Sequence, residues 1–252
     1  MPEESTARRS KSRKLADVPA LPKLYRALTC NFCQRAEIAF AVKGVEIEPV
    51  EIDLVRRPAW YREMASGGSV PLLEWNGLEL HPSRVINEFI DERWPDPPLL
   101  PSDPEARAAA RMWIEWWDEA PCPAYERRLM NVRPERDEAL TQALEAALHE
   151  CESRLAARGY DGGYWHGDSL GLVDATAAPM FVRFAGMRHF HDIDVPEACG
   201  RLRAWRDALL ADPHVRATSP GKQEMLDEYA AYLDVLSKAA AAGIEVRVAR
   251  AD

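Results

Sequence analysis

Lys23-Leu24-Tyr25-Arg26-Ala27-Leu28-Thr29-Cys30-Asn31-Phe32-Cys33-Gln34 is the stretch that decides the fold. Lys23 to Leu28 reads as a strand, and Gln34 to Lys43 carries Ile38, Ala41 and Val42 at helical spacing before Gly44 stops it as a C-terminal cap. Cys30-Asn31-Phe32-Cys33 therefore sits where a strand hands over to a helix. A helix N-terminus carries unsatisfied N–H groups and roughly half a positive charge, which favours thiolate over thiol. By spacing alone the pair remains open to three readings: a redox or nucleophilic thiol, two structural cysteines, or half of a zinc knuckle. A knuckle needs a second ligand pair. Cys122, Cys151 and Cys199 are isolated, and no Cys or His pair has zinc spacing, so no metal is expected.

Outward from that stretch, residues 46–53 return to strand character, and Pro58 fits the first turn of a helix over 59–65 that Gly67-Gly68 ends. Val70 to Trp75 and Leu78 to Leu80 flank Asn76-Gly77, the strongest short hairpin signal, and a helix follows from Val85 to Arg93. The alternation of periods marks an α/β unit over residues 21–95. Residues 96–104, with four prolines, hold neither a helix nor a central strand and read as a linker. Beyond it, helical patterns over 105–119, 135–157, 172–189, 196–211 and 223–242 imply an all-α domain across 105–242. His189-Phe190-His191 places two imidazoles on different faces of a helix end, where exposure is expected.

The chain has 252 residues, 47% hydrophobic and 29% charged, the balance of a globular protein with room for two cores. A net charge of −9 argues against a nucleic-acid partner. No apolar run reaches about 18 residues and no signal-peptide core is visible, so no membrane partner is expected and a cytoplasmic location follows. Arg8, Arg9, Lys11, Arg13 and Lys14 give residues 1–20 the composition of a disordered basic tail, and residues 243–252 read as a terminal tail.

The order strand, Cys-x-x-Cys, helix, strand, helix, Val-Pro, hairpin, helix, proline-rich linker and helical domain resembles the glutathione transferase superfamily, its cysteine-type omega-like branch above all. The resemblance spans roughly residues 22–218. Cys30 to Cys33 looks like that branch's Cys-Pro-Phe-x motif with Asn31 replacing proline, and Leu54 to Trp60 resembles its Leu-x-x-Lys-Pro-x-Trp segment. Ser69-Val70-Pro71 resembles the segment whose proline is cis, and Pro82-Ser83-Arg84-Val85-Ile86-Asn87-Glu88-Phe89 its Glu-Ser-x-x-Ile-x-Glu-Tyr stretch. Residues 166–174 resemble its helix-capping signature, with Gly171 in place of serine, Asp174 at the third helical position and Leu170 as a hydrophobic staple.

The resemblance implies a thioredoxin-like α/β N-terminal domain joined to an all-α C-terminal domain. It implies glutathione as cosubstrate, with Cys30 as nucleophile and Cys33 secondary. Glutathione is an extended anionic tripeptide, so Val70 beside Pro71 would pair with its backbone while Ser83 and Arg57 took its two carboxylates. Pro82 stands where many members have an acidic residue for the ligand's amino group, and proline offers neither charge nor donor. Trp113, Trp116 and Trp117 form a stripe suited to core packing; in the family this helix also lines the second-substrate pocket, which implies Trp113 and Trp117 as its aromatic wall. The implied activity is a thiol transferase or reductase acting on mixed disulfides or glutathione conjugates, in a homodimer. A transferase or lyase for a small apolar electrophile, and a non-catalytic interaction module, are the alternatives.

Overall fold

The computed structural model describes residues 20–65 and 68–244. Residues 1–19 and 245–252, most of the two expected tails, and Ser66 and Gly67 lie outside the described residues. The N-terminal half runs β1 (Lys23–Arg26), α1 (Asn31–Lys43), β2 (Glu48–Glu51), α2 (Ala59–Met64), β3 (Leu72–Trp75), β4 (Leu78–Leu80) and α3 (Ser83–Arg93). The sheet order is β2-β1-β3-β4, with β1 parallel to β2 and antiparallel to β3, which is the mixed sheet of a thioredoxin-like unit. Asn76 and Gly77, both at positive φ, make the two-residue turn between β3 and β4.

Helix α1 begins three residues earlier than its apolar spacing implies. The reason is its cap: the Cys30 sulfur accepts the N–H of Cys33 at 3.2 Å, a task usually given to Ser, Thr, Asp or Asn. Gly44, at φ 62°, closes the other end as expected, its N–H turned back to Ala41 and Phe40 carbonyls. The helix is buried on nearly all sides because it lies between the sheet and the helical half.

Residues 94–103 form no helix or strand and are tied to both halves. The Asp91 carboxylate takes the N–H groups of Leu99 (2.8 Å) and Leu100 (3.2 Å), and the Leu99 carbonyl takes the N–H of Leu172 at 2.8 Å. Beyond them lie α4 (Pro104–Glu119), α5 (Pro121–Leu129), α6 (Asp137–Ala157), α7 (Leu172–His191), α8 (Gly200–Ala211), α9 (Pro213–Thr218) and α10 (Lys222–Ala241). Two of these, α5 and α9, were not expected. Pro121 and Pro123 look like breakers in sequence, yet they occupy a first helical turn, where no amide donor is needed. Helix α9 has six residues, too few to show a period, and starts where Asp212 accepts the N–H groups of His214 (2.7 Å) and Val215 (3.1 Å).

Helix α7 is the axis of the helical half and packs on α1, α4, α5, α8 and α10. Its N-terminus explains the glycine where the capping signature has serine. A Cβ on Gly171 would meet the Leu99 carbonyl oxygen at 2.9 Å, so the close approach of the linker excludes any side chain. Asp174 completes its half of the cap by accepting the Gly171 N–H at 3.0 Å. At the other end His191 is not exposed but pinned, with Nδ1 2.8 Å from the Arg128 guanidinium and Nε2 2.9 Å from the Leu129 carbonyl.

Candidate active site

One cleft of about 1340 Å³ lies between the N-terminal half and helices α5 and α10. Its wall includes Thr29, Cys30, Asn31 and Phe32 from the start of α1, Arg56 and Arg57 after β2, and Ser69 and Val70 before β3. Tyr125 and Glu126 come from α5, and Glu228, Tyr229 and Tyr232 from α10.

Cys30 is half-buried, whereas Cys33, Cys122, Cys151 and Cys199 are each at most 1% exposed. Its thiol approaches the Val70 carbonyl at 3.8 Å across the cleft, and the Val70–Pro71 bond is cis. Burial raises the thiol's pKa, but hydrogen bonding from the Cys33 thiol and backbone N–H, followed by the positive charge of Arg183, outweighs it and leaves the Cys30 pKa below its ordinary value. Cys33 goes the other way. It packs in a small apolar cluster with Tyr25, Ile52, Tyr61 and Leu72, and burial first, then its hydrogen bond to Cys30, pushes it well above the ordinary thiol range. The two sulfurs are chemically unequal: deprotonation is favoured at Cys30 and disfavoured at Cys33.

Arg57 lines the same cleft, makes no ion pair among the described residues, and its Nε is buried without a partner. A cation half-withdrawn from water with a free donor is a place for an anionic group. Asn31, at the start of α1, is 5% exposed; its amide donates to Glu126 at 3.3 Å while its Oδ1 has no partner. Burial pushes the Glu126 carboxyl up, against the Asn31 bond and the charges of Arg35 and Arg183.

The structure thus brings together Cys30, Arg57 and Val70. Pro71, cis-bonded to Val70, is not itself in the cleft wall, and Ser83 is buried at the first position of α3, behind Pro82, also outside that wall. Trp113 and Trp117 do not line the cleft either, which corrects the expectation of an aromatic wall. The apolar stripe of α4 faces α7 and α8, so Trp117, fully buried, packs on Phe181 and Trp205 with ring centroids 5.8 and 5.7 Å away. Trp113 packs on Trp165 and Trp205 at 5.7 and 6.1 Å. Aromatic surface in the cleft comes instead from Phe32, Tyr125, Tyr229 and Tyr232. Tyr25 turns away, its hydroxyl donating to Glu74 at 2.7 Å.

Two participants had no motif. Tyr229 on α10 donates its hydroxyl to the Thr29 carbonyl at 3.3 Å, just before the nucleophile. Arg183 on α7 is 1% exposed and reaches the same loop from behind. A lone cation inside the apolar run Met180-Phe181-Val182-Arg183-Phe184-Ala185 was the available signal, since an arginine is buried only when it is held by partners. Among the described residues, no helix is long and apolar enough to cross a membrane, and no group of three metal-ligating side chains occurs.

Residues 24–98 match the family of glutathione S-transferase N-terminal domains, and residues 104–208 that of the C-terminal domains. Glutathione S-transferase U24 of Arabidopsis thaliana is 32% identical over 197 residues, covering 77% of this chain and 88% of its own. Glutathione S-transferase omega-1 of Sus scrofa is 28% identical, covering 78% of this chain and 80% of its own. Among solved structures, rice GST1 in complex with glutathione superposes with a TM-score of 0.72 at 27% identity, covering 86% of this chain and 96% of its own.

Proposed function

The chain belongs to the glutathione S-transferase family, and from that premise we propose that it is a glutathione-dependent thiol transferase with Cys30 as nucleophile. The observation that carries the reading is the Cys30 sulfur itself: half-exposed in the cleft between the two halves, capping a helix and with its pKa held below the ordinary value. In this reading the Cys30 thiolate attacks the glutathionyl sulfur of a mixed disulfide. A Cys30–glutathione disulfide forms, and the other half leaves as a thiolate that takes a proton from solvent. A second glutathione thiolate then attacks the glutathionyl sulfur, releasing glutathione disulfide and restoring Cys30. With a glutathione conjugate the same attack breaks the carbon–sulfur bond, and the carbon leaves with the electron pair and gains a proton.

Arg57 would hold one glutathione carboxylate, and Val70, beside Pro71, would pair with the tripeptide's backbone. Ser83 remains the proposed partner of the γ-glutamyl carboxylate through its hydroxyl and N–H at the start of α3. Cys33 is assigned no catalytic step: its burial and raised pKa favour the monothiol route. No metal takes part. The enzyme works in the cytoplasm, where a reducing pool supplies glutathione, and as a homodimer. Support for the dimer comes from a smaller groove of about 560 Å³ lined by β4, α3, α4 and α7 residues, with Leu78, Val85 and Met112 exposed on the first three of these elements.

The test is glutathione-dependent reduction of a mixed disulfide by the wild type, Cys30→Ser and Cys33→Ser. Loss of activity by about a thousandfold or more in Cys30→Ser alone is expected, as for removal of a nucleophile. Equal, negligible rates in all three proteins would refute an enzyme of this type, and conjugation of an aryl halide that survives Cys30→Ser would identify a conjugating transferase instead.

A further inference from the structure

Helix α7 sends a single arginine through the interface between the two halves, to the back of the loop that presents the nucleophile. The Arg183 Nε donates to the Thr29 carbonyl at 2.8 Å, and one terminal nitrogen donates to the carbonyls of Leu28 and Cys30, each at 3.0 Å. Its other terminal nitrogen donates to the Gln34 side chain and, at 3.2 Å, to the Pro179 carbonyl. Every acceptor is neutral, and Arg183 makes no ion pair among the described residues. A guanidinium is planar and presents its donors in a rigid fork, so three successive carbonyls gripped by one side chain leave the loop a single conformation.

We propose that Arg183 is the positioning residue of this site, fixing the Leu28–Cys30 turn so that the Cys30 sulfur faces the cleft, with a positive charge, engaged in no ion pair among the described residues, directly behind it. The inference rests on Cys30 being the nucleophile but adds a residue 153 positions away that touches no substrate. Burying a charge of this kind is costly, and a well-packed apolar residue in its place is often no less stable. Here the charge has a recipient. Besides Arg183, the groups around Cys30 are Cys33 on its own helix, Glu126 and Cys122 on α5, Tyr61 on α2, Tyr229 on α10 and Arg57, which lines the same cleft. Arg183 is the cation whose charge favours the Cys30 thiolate, while Glu126 opposes it. The loop's carbonyl dipoles also point towards the guanidinium, so removing it would leave the Leu28 carbonyl without a partner and the Thr29 and Cys30 carbonyls with only the Tyr229 hydroxyl and the Gln34 N–H, as well as the thiolate less favoured.

The experiment is the pH dependence of Cys30 alkylation by iodoacetamide, assigned by mass spectrometry, in the wild type, Arg183→Lys and Arg183→Met, with thermal unfolding followed in parallel. Alkylation reads the thiol without needing turnover, so it stands apart from whether the protein reduces mixed disulfides. The wild-type midpoint is expected below that of free cysteine. In Arg183→Met it should rise by about one pH unit, and the turnover number for a mixed disulfide should fall about tenfold or more, the order expected for a misplaced reacting group. Arg183→Lys, which keeps the charge and loses the fork, should hold most of the midpoint shift yet lose turnover. A folded Arg183→Met with the wild-type midpoint overturns the proposal, leaving a purely structural arginine. Should that variant not fold, Arg183→Lys decides by itself, since wild-type turnover there removes the positioning role. A wild-type midpoint at or above that of free cysteine overturns the proposal without any variant.

Discussion

Arg57 shows how one residue's environment can say more than its identity. On sequence it is a basic residue eleven positions before the second glycine of a break, and a solvated cation would read the same. In the structure its Cδ packs 3.5 Å from where a Cβ on Gly68 would stand, and its Nε is enclosed without a partner. A charge-assisted hydrogen bond is worth roughly 1.5–3 kcal/mol, so Arg57→Ala should raise KM for glutathione about 10- to 100-fold. The turnover number should change little, because the contact serves ground and transition states alike. Steady-state kinetics at varied glutathione decide it, and an unchanged KM would remove Arg57 from the site. Cys30 and Val70 were legible for the same reason as Arg57: each stands in a short local motif. Asn31 was legible only as a departure, since the free Oδ1 and the contact with Glu126 depend on a residue 95 positions away.

At the scale of the element, the N-terminus of α7 is the most informative. Its Asp174 carboxylate receives N–H groups from Gly171, from the Trp205 ring and from Trp165, at 3.0, 2.7 and 2.8 Å. Burial outweighs those bonds and pushes the carboxyl up to about 6 from its ordinary 3.8. The folded protein therefore keeps a proton between about pH 4 and 6 that the unfolded chain has already released, and stability falls as pH rises through that window. Two pK units correspond to roughly 3 kcal/mol. Urea unfolding of the wild type and Asp174→Asn from pH 4 to 6.5 should show this as a difference between the two proteins that changes across the window, and a constant difference would rule out Asp174 as its source. The capping signature made the start of α7 readable, but the reason for its glycine was not, because that reason is the carbonyl of Leu99. Helices α5 and α9 were hidden for a related cause: prolines serve helix starts and loops equally well.

At the scale of the whole molecule, the groove bordered by β4, α3 and α4 carries two ion pairs across it, Arg84–Glu115 and Arg111–Glu88, both at 2.6 Å, beside exposed Val85 and Met112. Sedimentation should give twice the mass of one chain, and Met112→Glu together with Val85→Glu should shift it towards one, since burying two unpaired carboxylates opposes association. Wild-type protein that sediments as a single chain at micromolar concentration would remove the dimer. The sequence by itself determined the two-part architecture, because hydrophobic period, turn chemistry and the proline-rich junction are local properties of the chain. It also determined which cysteine stands at a helix start. Only the tertiary structure decided that Trp113 and Trp117 belong to the core while Phe32, Tyr125, Tyr229 and Tyr232 line the cleft, and that Arg183 lies behind Cys30. A helical stripe shows that a face is buried, but what it is buried against depends on how α4, α7 and α10 cross, which is set by packing between segments far apart in the chain.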